Sequence, residues 1–210
     1  MRVARLGLPD ELMFATCAAE VLLGLRVALG RATTAVTAVQ VVVVGGFTAI
    51  LAILEPALLV HPDGVLTKNL PLLATIGTAW LLWREGWGPR AAWLLRGGMA
   101  LIWITEGLFP KILFQAGWEV ALVSRSGLAW GNPAAFLRLV GACEVLSGVA
   151  ALLLRGRLLR WLLGAQLAAL AVLPGLVGWL EPQLWFHPFG PLTKNVPILV
   201  GTALLWRRAG

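Results

Sequence analysis

The block Glu55-Pro-Ala-Leu-Leu-Val-His-Pro-Asp-Gly-Val-Leu-Thr-Lys-Asn-Leu-Pro-Leu-Leu73 recurs 126 positions later as Glu181-Pro-Gln-Leu-Trp-Phe-His-Pro-Phe-Gly-Pro-Leu-Thr-Lys-Asn-Val-Pro-Ile-Leu199, with 12 of 19 positions identical. A chain that repeats itself in this way is an internal duplication, so its fold has to accommodate one unit twice. The match extends outward from the block. Pro9 pairs with Pro133, and Glu20-Val21-Leu22 with Gly24 pairs with Glu144-Val145-Leu146 with Gly148 at an offset of 124. After a two-residue shift, Gly30-Arg31 pairs with Gly156-Arg157 and Gln40 with Gln166. The two copies are therefore placed at 9–84 and 133–208.

Composition decides which solvent surrounds them. Hydrophobic residues make up 59% of the chain and charged residues 13%, with a mean hydropathy of +0.85. Soluble domains have roughly 45–50% and 25%. The expected fold class is all-α, a polytopic transmembrane helix bundle, because in lipid the backbone must satisfy its own polar groups. Apolar runs predict seven helices, over 11–29, 34–54, 66–83, 91–109, 134–154, 158–180 and 192–206. At about 20 residues per span, 210 residues leave no room for a separate soluble domain, so 1–210 is read as one membrane domain. The third and seventh helices are short. Starting them at Leu66 and Leu192 puts Thr67-Lys68-Asn69 and Thr193-Lys194-Asn195 in their first turns, with Pro71 and Pro197 inside the helices and bending them.

Ten of the seventeen Lys and Arg residues fall on one side of this arrangement, among them Arg26, Arg84, Arg96, Arg155, Arg160 and Arg208. By the positive-inside rule that side is cytoplasmic. Asp10, Glu11, Glu55, Asp63, Glu119 and Glu181 gather opposite, which puts both repeated loops outside and the C-terminus inside. The net charge of +7 then has a topological origin and calls for no nucleic acid. Trp80, Trp83, Trp87, Trp93, Trp161 and Trp206 mark the inner interface, Trp118, Trp130, Trp179 and Trp185 the outer, and Trp103 alone lies centrally. The N-terminal segment matches an internal helix, so it is expected to be a span and not a cleaved signal.

Helices one to three repeat as helices five to seven, and the fourth, at 91–109, has no counterpart. Three spans alone would invert the second copy. The odd linking helix restores its direction, which predicts a parallel 3 + 1 + 3 repeat with both motif loops on one face.

Candidate functional residues follow from this placement. Glu20, Glu106 and Glu144 lie within spans, where a carboxylate costs roughly 2.5–3.5 kcal/mol, so each should face the bundle interior and find a partner, such as Arg26 or Arg138, or serve a proton or ligand. His61 and His187 are the only histidines. A pseudo-twofold scaffold presenting both could ligate a haem or a metal, but each is alone in its loop with no second ligand at metal spacing, and a capping or loop-fixing His before Pro is the preferred reading. Lys68, Asn69, Lys194 and Asn195 stand at helix starts, where free backbone amides attract a headgroup, a quinone carbonyl or an oxyanion. The alternative is an ion pair within each hairpin, from Glu55 to Lys68 and from Glu181 to Lys194. Cys17 and Cys143 read as small hydrophobes, since no Cys-x-x-Cys is present. Gly45-Gly46 and Gly97-Gly98 read as close helix packing. No catalytic motif and no metal-ligand spacing is found.

The stretch Trp103-Ile-Thr-Glu-Gly-Leu-Phe-Pro-Lys111, then Leu139-Val-Gly-Ala-Cys-Glu-Val-Leu-Ser-Gly148 and the closing His187-Pro-Phe-Gly-Pro-Leu-Thr-Lys-Asn-Val-Pro197 resemble the DoxX-like family of four-helix membrane proteins. The full unit covers 91–206, and 9–84 resembles the same unit without its opening helix. Relatives include a subunit of thiosulfate:quinone oxidoreductase. The resemblance implies a non-catalytic subunit or assembly factor of a membrane electron-transfer complex in the bacterial inner membrane, with lipids and other membrane subunits as partners. Such a chain is not an enzyme on its own and is expected to need no cofactor. A quinone- or haem-binding oxidoreductase component, and a carrier or receptor for a small ligand or lipid, are the alternatives.

Overall fold

The computed structural model describes residues 10–30, 32–60, 67–115, 117–129, 131–186 and 192–209. They form α1 (Asp10–Ala28), α2 (Thr34–Leu54), α3 (Asn69–Glu85), α4 (Pro89–Glu106), α5 (Gly117–Arg125), α6 (Pro133–Leu153), α7 (Gly156–Leu180) and α8 (Asn195–Arg208). Short 3₁₀ turns, Pro56–Val60 and Pro182–Phe186, follow α2 and α7, and a π-helical turn, Gly107–Leu113, prolongs α4. The fold is all-α, with no strand among the described residues.

Local chemistry sets several of these boundaries. Asn132 accepts from Ala135 N at 3.0 Å and is followed by Pro133 at the first helical position, where a missing N–H is harmless. Thr33 accepts from Val36 N in the same way. The motif helices start later than predicted, at Asn69 and Asn195, leaving Thr67-Lys68 and Thr193-Lys194 in the preceding turns. Pro71 and Pro197 accordingly lie in the first turn, where their nitrogens have no intrahelical acceptor to lose, so the expected bends have no cause. The interior prolines are Pro110 of the π turn and Pro174 of α7.

Among the described residues, α2, α6 and α7 are long and apolar enough to cross a bilayer, which makes this a membrane protein. Trp161 and Trp179, both on α7, are 79% and 82% exposed. Eighteen residues separate them, about 27 Å at the helical rise. That separation is close to the thickness of a bilayer's hydrocarbon layer.

The helix without a repeat counterpart is the centre of the fold. α4 packs against α3, α6 and α8. Its Leu95, Met99 and Ile102 join Leu159 and Leu163 of α7 and Ile198 and Leu205 of α8 in one buried cluster. Glycines let the backbones approach. A Cβ on Gly148 of α6 would stand 2.6 Å from the carbonyl of Ala100, and one on Gly141 would stand 2.6 Å from that of Gly107. Gly98 is closed by Ala74 of α3. Gly45, Gly46 and Gly97 have open space beside them, so of the paired glycines read as packing residues only Gly98 serves that purpose.

Arginines stack on tryptophans at the end of the bundle that holds the C-terminus of α8. Arg84 lies over Trp80, Arg96 over Trp93, Arg160 over Trp206 and Arg208 over Trp87, at 4.8 to 5.4 Å from the ring centroids. The Arg96 guanidinium also donates to the carbonyls of Ala151 and Leu154, the last of which α6 leaves without helical donors.

Candidate ligand site at the lysine cluster

Pro110 creates the site. In a regular helix the carbonyl of Glu106 would accept from the N–H of residue 110, and proline has none. The chain answers by widening: Phe114 N donates to Phe109 O at 2.8 Å, five residues back, and Gly107–Leu113 forms a π turn. The freed carbonyl of Glu106 is taken by the Lys111 ammonium at 3.1 Å. That same ammonium stands 2.9 Å from Oε2 of Glu144 on α6, with both side chains only 13% exposed. Fixed at two points, Lys111 is held against α6, with its main chain anchored as Gln115 donates to Lys111 O at 2.8 Å and to Ala134 O at 2.9 Å.

The neighbouring acid is tied to the first repeat. Thr67 donates to Glu106 Oε1 at 2.5 Å, linking the motif turn before α3 to the end of α4. Lys68 and Glu106 are both electrostatic neighbours of Lys194, while Glu106, Glu119 and Glu144 are neighbours of Lys111. Lys68, Lys111 and Lys194 are all the lysines in the chain. Fourteen arginines lie elsewhere, while three lysines and three glutamates converge where α3, α4, α5, α6 and α8 meet.

Beside this cluster opens a cavity of about 400 Å³. Lys68, Glu106, Lys111, Glu119, Glu144 and Asn195 line its polar part, and Leu170, Leu173, Pro174 and Val177 of α7 form the apolar wall. Pro174, inside α7, has no N–H to give the Leu170 carbonyl. Trp103, the central tryptophan, also lines the cavity, and its buried Nε1 finds no acceptor among the described residues. Helix α5 contributes Glu119, Leu122 and Val123. It is held by Arg125, which donates to Glu181 at 2.5 Å beyond the end of α7, while Gln183 donates to the other oxygen of the same carboxylate. These two donors, Arg125 first, keep the Glu181 carboxyl below the usual carboxylate range.

The candidate residues of the sequence therefore divide. Glu106, Glu144, Lys68, Lys194 and Asn195 come together; Asn69 instead donates to Thr48 of α2 at 2.9 Å, within the first copy. Glu144 takes its partner from Lys111 and not from Arg26 or Arg138. Glu181 pairs with Arg125, so the expected Glu181–Lys194 pair gives way to one that reaches across to α5. Glu20, expected to face the interior, is exposed. His61 and His187 lie outside the described residues. No group of three or more His, Cys, Asp or Glu with metal-holding geometry occurs among the described residues. Sequence reasoning missed Lys111 as a site residue, and its signal was scarcity, the third lysine in a chain that otherwise uses arginine.

The family model described as the DoxX-like family matches residues 3–77 and 100–204, the two segments that carry the repeat. No curated protein and no solved structure matches the chain. With both matched segments spanning most of its length, this membrane protein belongs to the DoxX-like family.

Proposed function

We propose that the chain binds a small amphipathic molecule, an apolar ring or tail with a polar carbonyl or anionic head, in the cavity beside the lysine cluster. One observation carries this reading: a single cavity joins an apolar wall, Leu170 to Val177, to a charged end built from Lys111, Glu106 and Glu144. Binding sites of this size are mostly apolar, with a few placed polar groups that orient the ligand. Lys111 and the Trp103 indole are the donors for the head. A quinone is a ligand of this class, which makes the quinone-binding alternative the chemical relative of this reading; haem ligation rested on His61 and His187, outside the described residues. The test is a titration of the purified chain in lipid nanodiscs with decyl-ubiquinone, followed by tryptophan fluorescence. Saturable quenching that weakens about tenfold in Lys111→Met is expected, consistent with losing one charge-assisted hydrogen bond. Linear, non-saturating quenching, identical in the variant, overturns the reading.

A second reading, a non-catalytic subunit or assembly factor of a membrane complex, is favoured by α1, which packs chiefly on α2 and leaves most of its surface open. Within either reading we place seven spans in the membrane, α1 to α4 and α6 to α8, with copies at 9–84 and 133–208 running parallel, the motif turns outside and the C-terminus in the cytoplasm. Support comes from both ends of the bundle. Arg208 at the end of α8 lies over Trp87 just beyond α3, and Lys194 before α8 has Lys68 before α3 as its electrostatic neighbour. Cysteine accessibility at the two ends tests it: a C-terminus labelled by an impermeant reagent on intact cells contradicts the orientation.

A further inference from the structure

The duplication supplies its own control. On α6, Glu144 and Gly148 form a face that α4 covers: Lys111 meets the carboxylate at 2.9 Å, and Ala100 and Ile104 close over the glycine. The same face recurs on α1 as Glu20 and Gly24. There nothing among the described residues covers it. Glu20 and Gly24 are exposed, no hydrogen bond or ion pair reaches Glu20 among the described residues, and a Cβ on Gly24 would have open space. Leu22 and its counterpart Leu146 are both exposed, at 63% and 67%. Both copies thus turn the leucine outward, and only one has its Glu-Gly face occupied.

Against α6 it is α4, with its π turn, that brings Lys111 to Glu144, and among the described residues no helix stands in that position against α1. A carboxylate facing lipid is unfavourable, and small residues beside it allow a second backbone to approach.

We propose that the Glu20–Gly24 face of α1 docks a transmembrane helix of another polypeptide, one carrying a lysine or arginine at the depth of Glu20 and packing closely at Gly24. The occupant is not a second copy of this chain meeting α1 with α1, because that would set Glu20 against Glu20. The one basic group that the template employs, Lys111, is already engaged by Glu144 in every copy. Charge complementarity therefore selects a basic helix. This deepens the subunit reading by giving the partner a chemistry, and it is independent of the cavity and its ligand.

The probe is a synthetic peptide of residues 91–114, the chain's own covering helix, carrying an acceptor dye. It is mixed with the full chain, donor-labelled at its C-terminus, in phosphatidylcholine vesicles containing phosphatidylglycerol, and energy transfer is read against peptide fraction. Association is expected to weaken about tenfold, the scale of one interhelical polar contact in lipid, both for Glu20→Gln in the chain and for Lys111→Leu in the peptide. Leu22→Ala, at the outward position, leaves it unchanged. Equal transfer in Glu20→Gln, or with the leucine peptide, overturns the proposal. So does peptide-independent association of the chain with itself that Glu20→Gln abolishes, which would assign the face to a second copy. Failure here leaves the copurification of native partners as a separate measure of the subunit reading.

Discussion

The Lys111 ammonium lies between two acceptors from different helices, the Glu106 carbonyl at 3.1 Å and the Glu144 carboxylate at 2.9 Å. The first contact exists because Pro110 has no N–H to offer, and the second because Gly107 and Gly141 bring α4 and α6 close enough for a lysine to bridge them. A helix defect thus becomes a charged side of a cavity.

Removing one member of this pair leaves the other buried and uncompensated, which costs more than the pair contributes. Lys111→Met is expected to destabilise the bundle by about 3 kcal/mol, and the double variant Lys111→Met with Glu144→Leu to regain most of that. Thermal unfolding in detergent, followed by circular dichroism, checks both. Equal destabilisation in the single and double variants would show that the charges do not act on each other.

Pro110→Ala supplies the N–H, four residues on, that Glu106 O cannot receive from a proline. The π turn then loses its cause, and the register of Lys111 shifts by part of a turn relative to α6. The variant is expected to be no more stable than the parent, because the regained helical hydrogen bond is offset by the loss of the Lys111–Glu144 pair, and to bind decyl-ubiquinone as weakly as Lys111→Met, read by the same fluorescence titration. Retained binding would mean that the turn is not what positions the lysine.

Glycines at the α4–α6 contact have no room to give. Gly148→Ala places a methyl 2.6 Å from a carbonyl and 2.7 Å from Ile104, and should cost about 1–3 kcal/mol by overpacking. Gly45→Ala, in open space, should be neutral or slightly stabilising through helix propensity. The difference in melting temperature between these two variants is the measurement, and equal behaviour would contradict the packing described.

Acid should loosen α5. The Glu181 carboxyl is held low in the folded chain by Arg125 and Gln183, so its stabilising contribution is present above the unfolded value of about 4.3 and is lost as pH falls through the lower folded value. Amide exchange across Gly117–Arg125 is expected to accelerate below pH 4 in the parent, whereas Glu181→Gln exchanges rapidly at every pH. A parent whose α5 exchange is flat across that range would remove Glu181 as its anchor.

The all-α class was legible because long apolar runs closed by Gly, Pro or Arg read as helices, a signal that survives without tertiary context. Their starts were less so: Leu66 and Leu192 are apolar, yet the turns Thr67-Lys68 and Thr193-Lys194 delay α3 and α8 to the asparagines. Helix α5 escaped notice because nine residues carrying Glu119 and Arg125 give no span-length apolar signal. Pro110 reads as the end of helix four, as proline usually does, and only the Lys111 contact with the freed carbonyl shows why the chain continues helically beyond it. Glu144 was visible as a buried acid in need of a partner, but pairing requires knowing which helix lies opposite, and the repeat alone does not name that neighbour.

The central claim, that the lysine cluster is the polar end of a ligand cavity, is tested most directly by amine footprinting. The chain in nanodiscs is labelled with a water-soluble amine reagent, with and without saturating decyl-ubiquinone, and modification is read by peptide mass spectrometry. Labelling of Lys111 is expected to fall several-fold on addition of the quinone while the α-amino terminus is unaffected. Unchanged labelling of Lys111 at a quinone concentration that saturates tryptophan quenching would contradict the account.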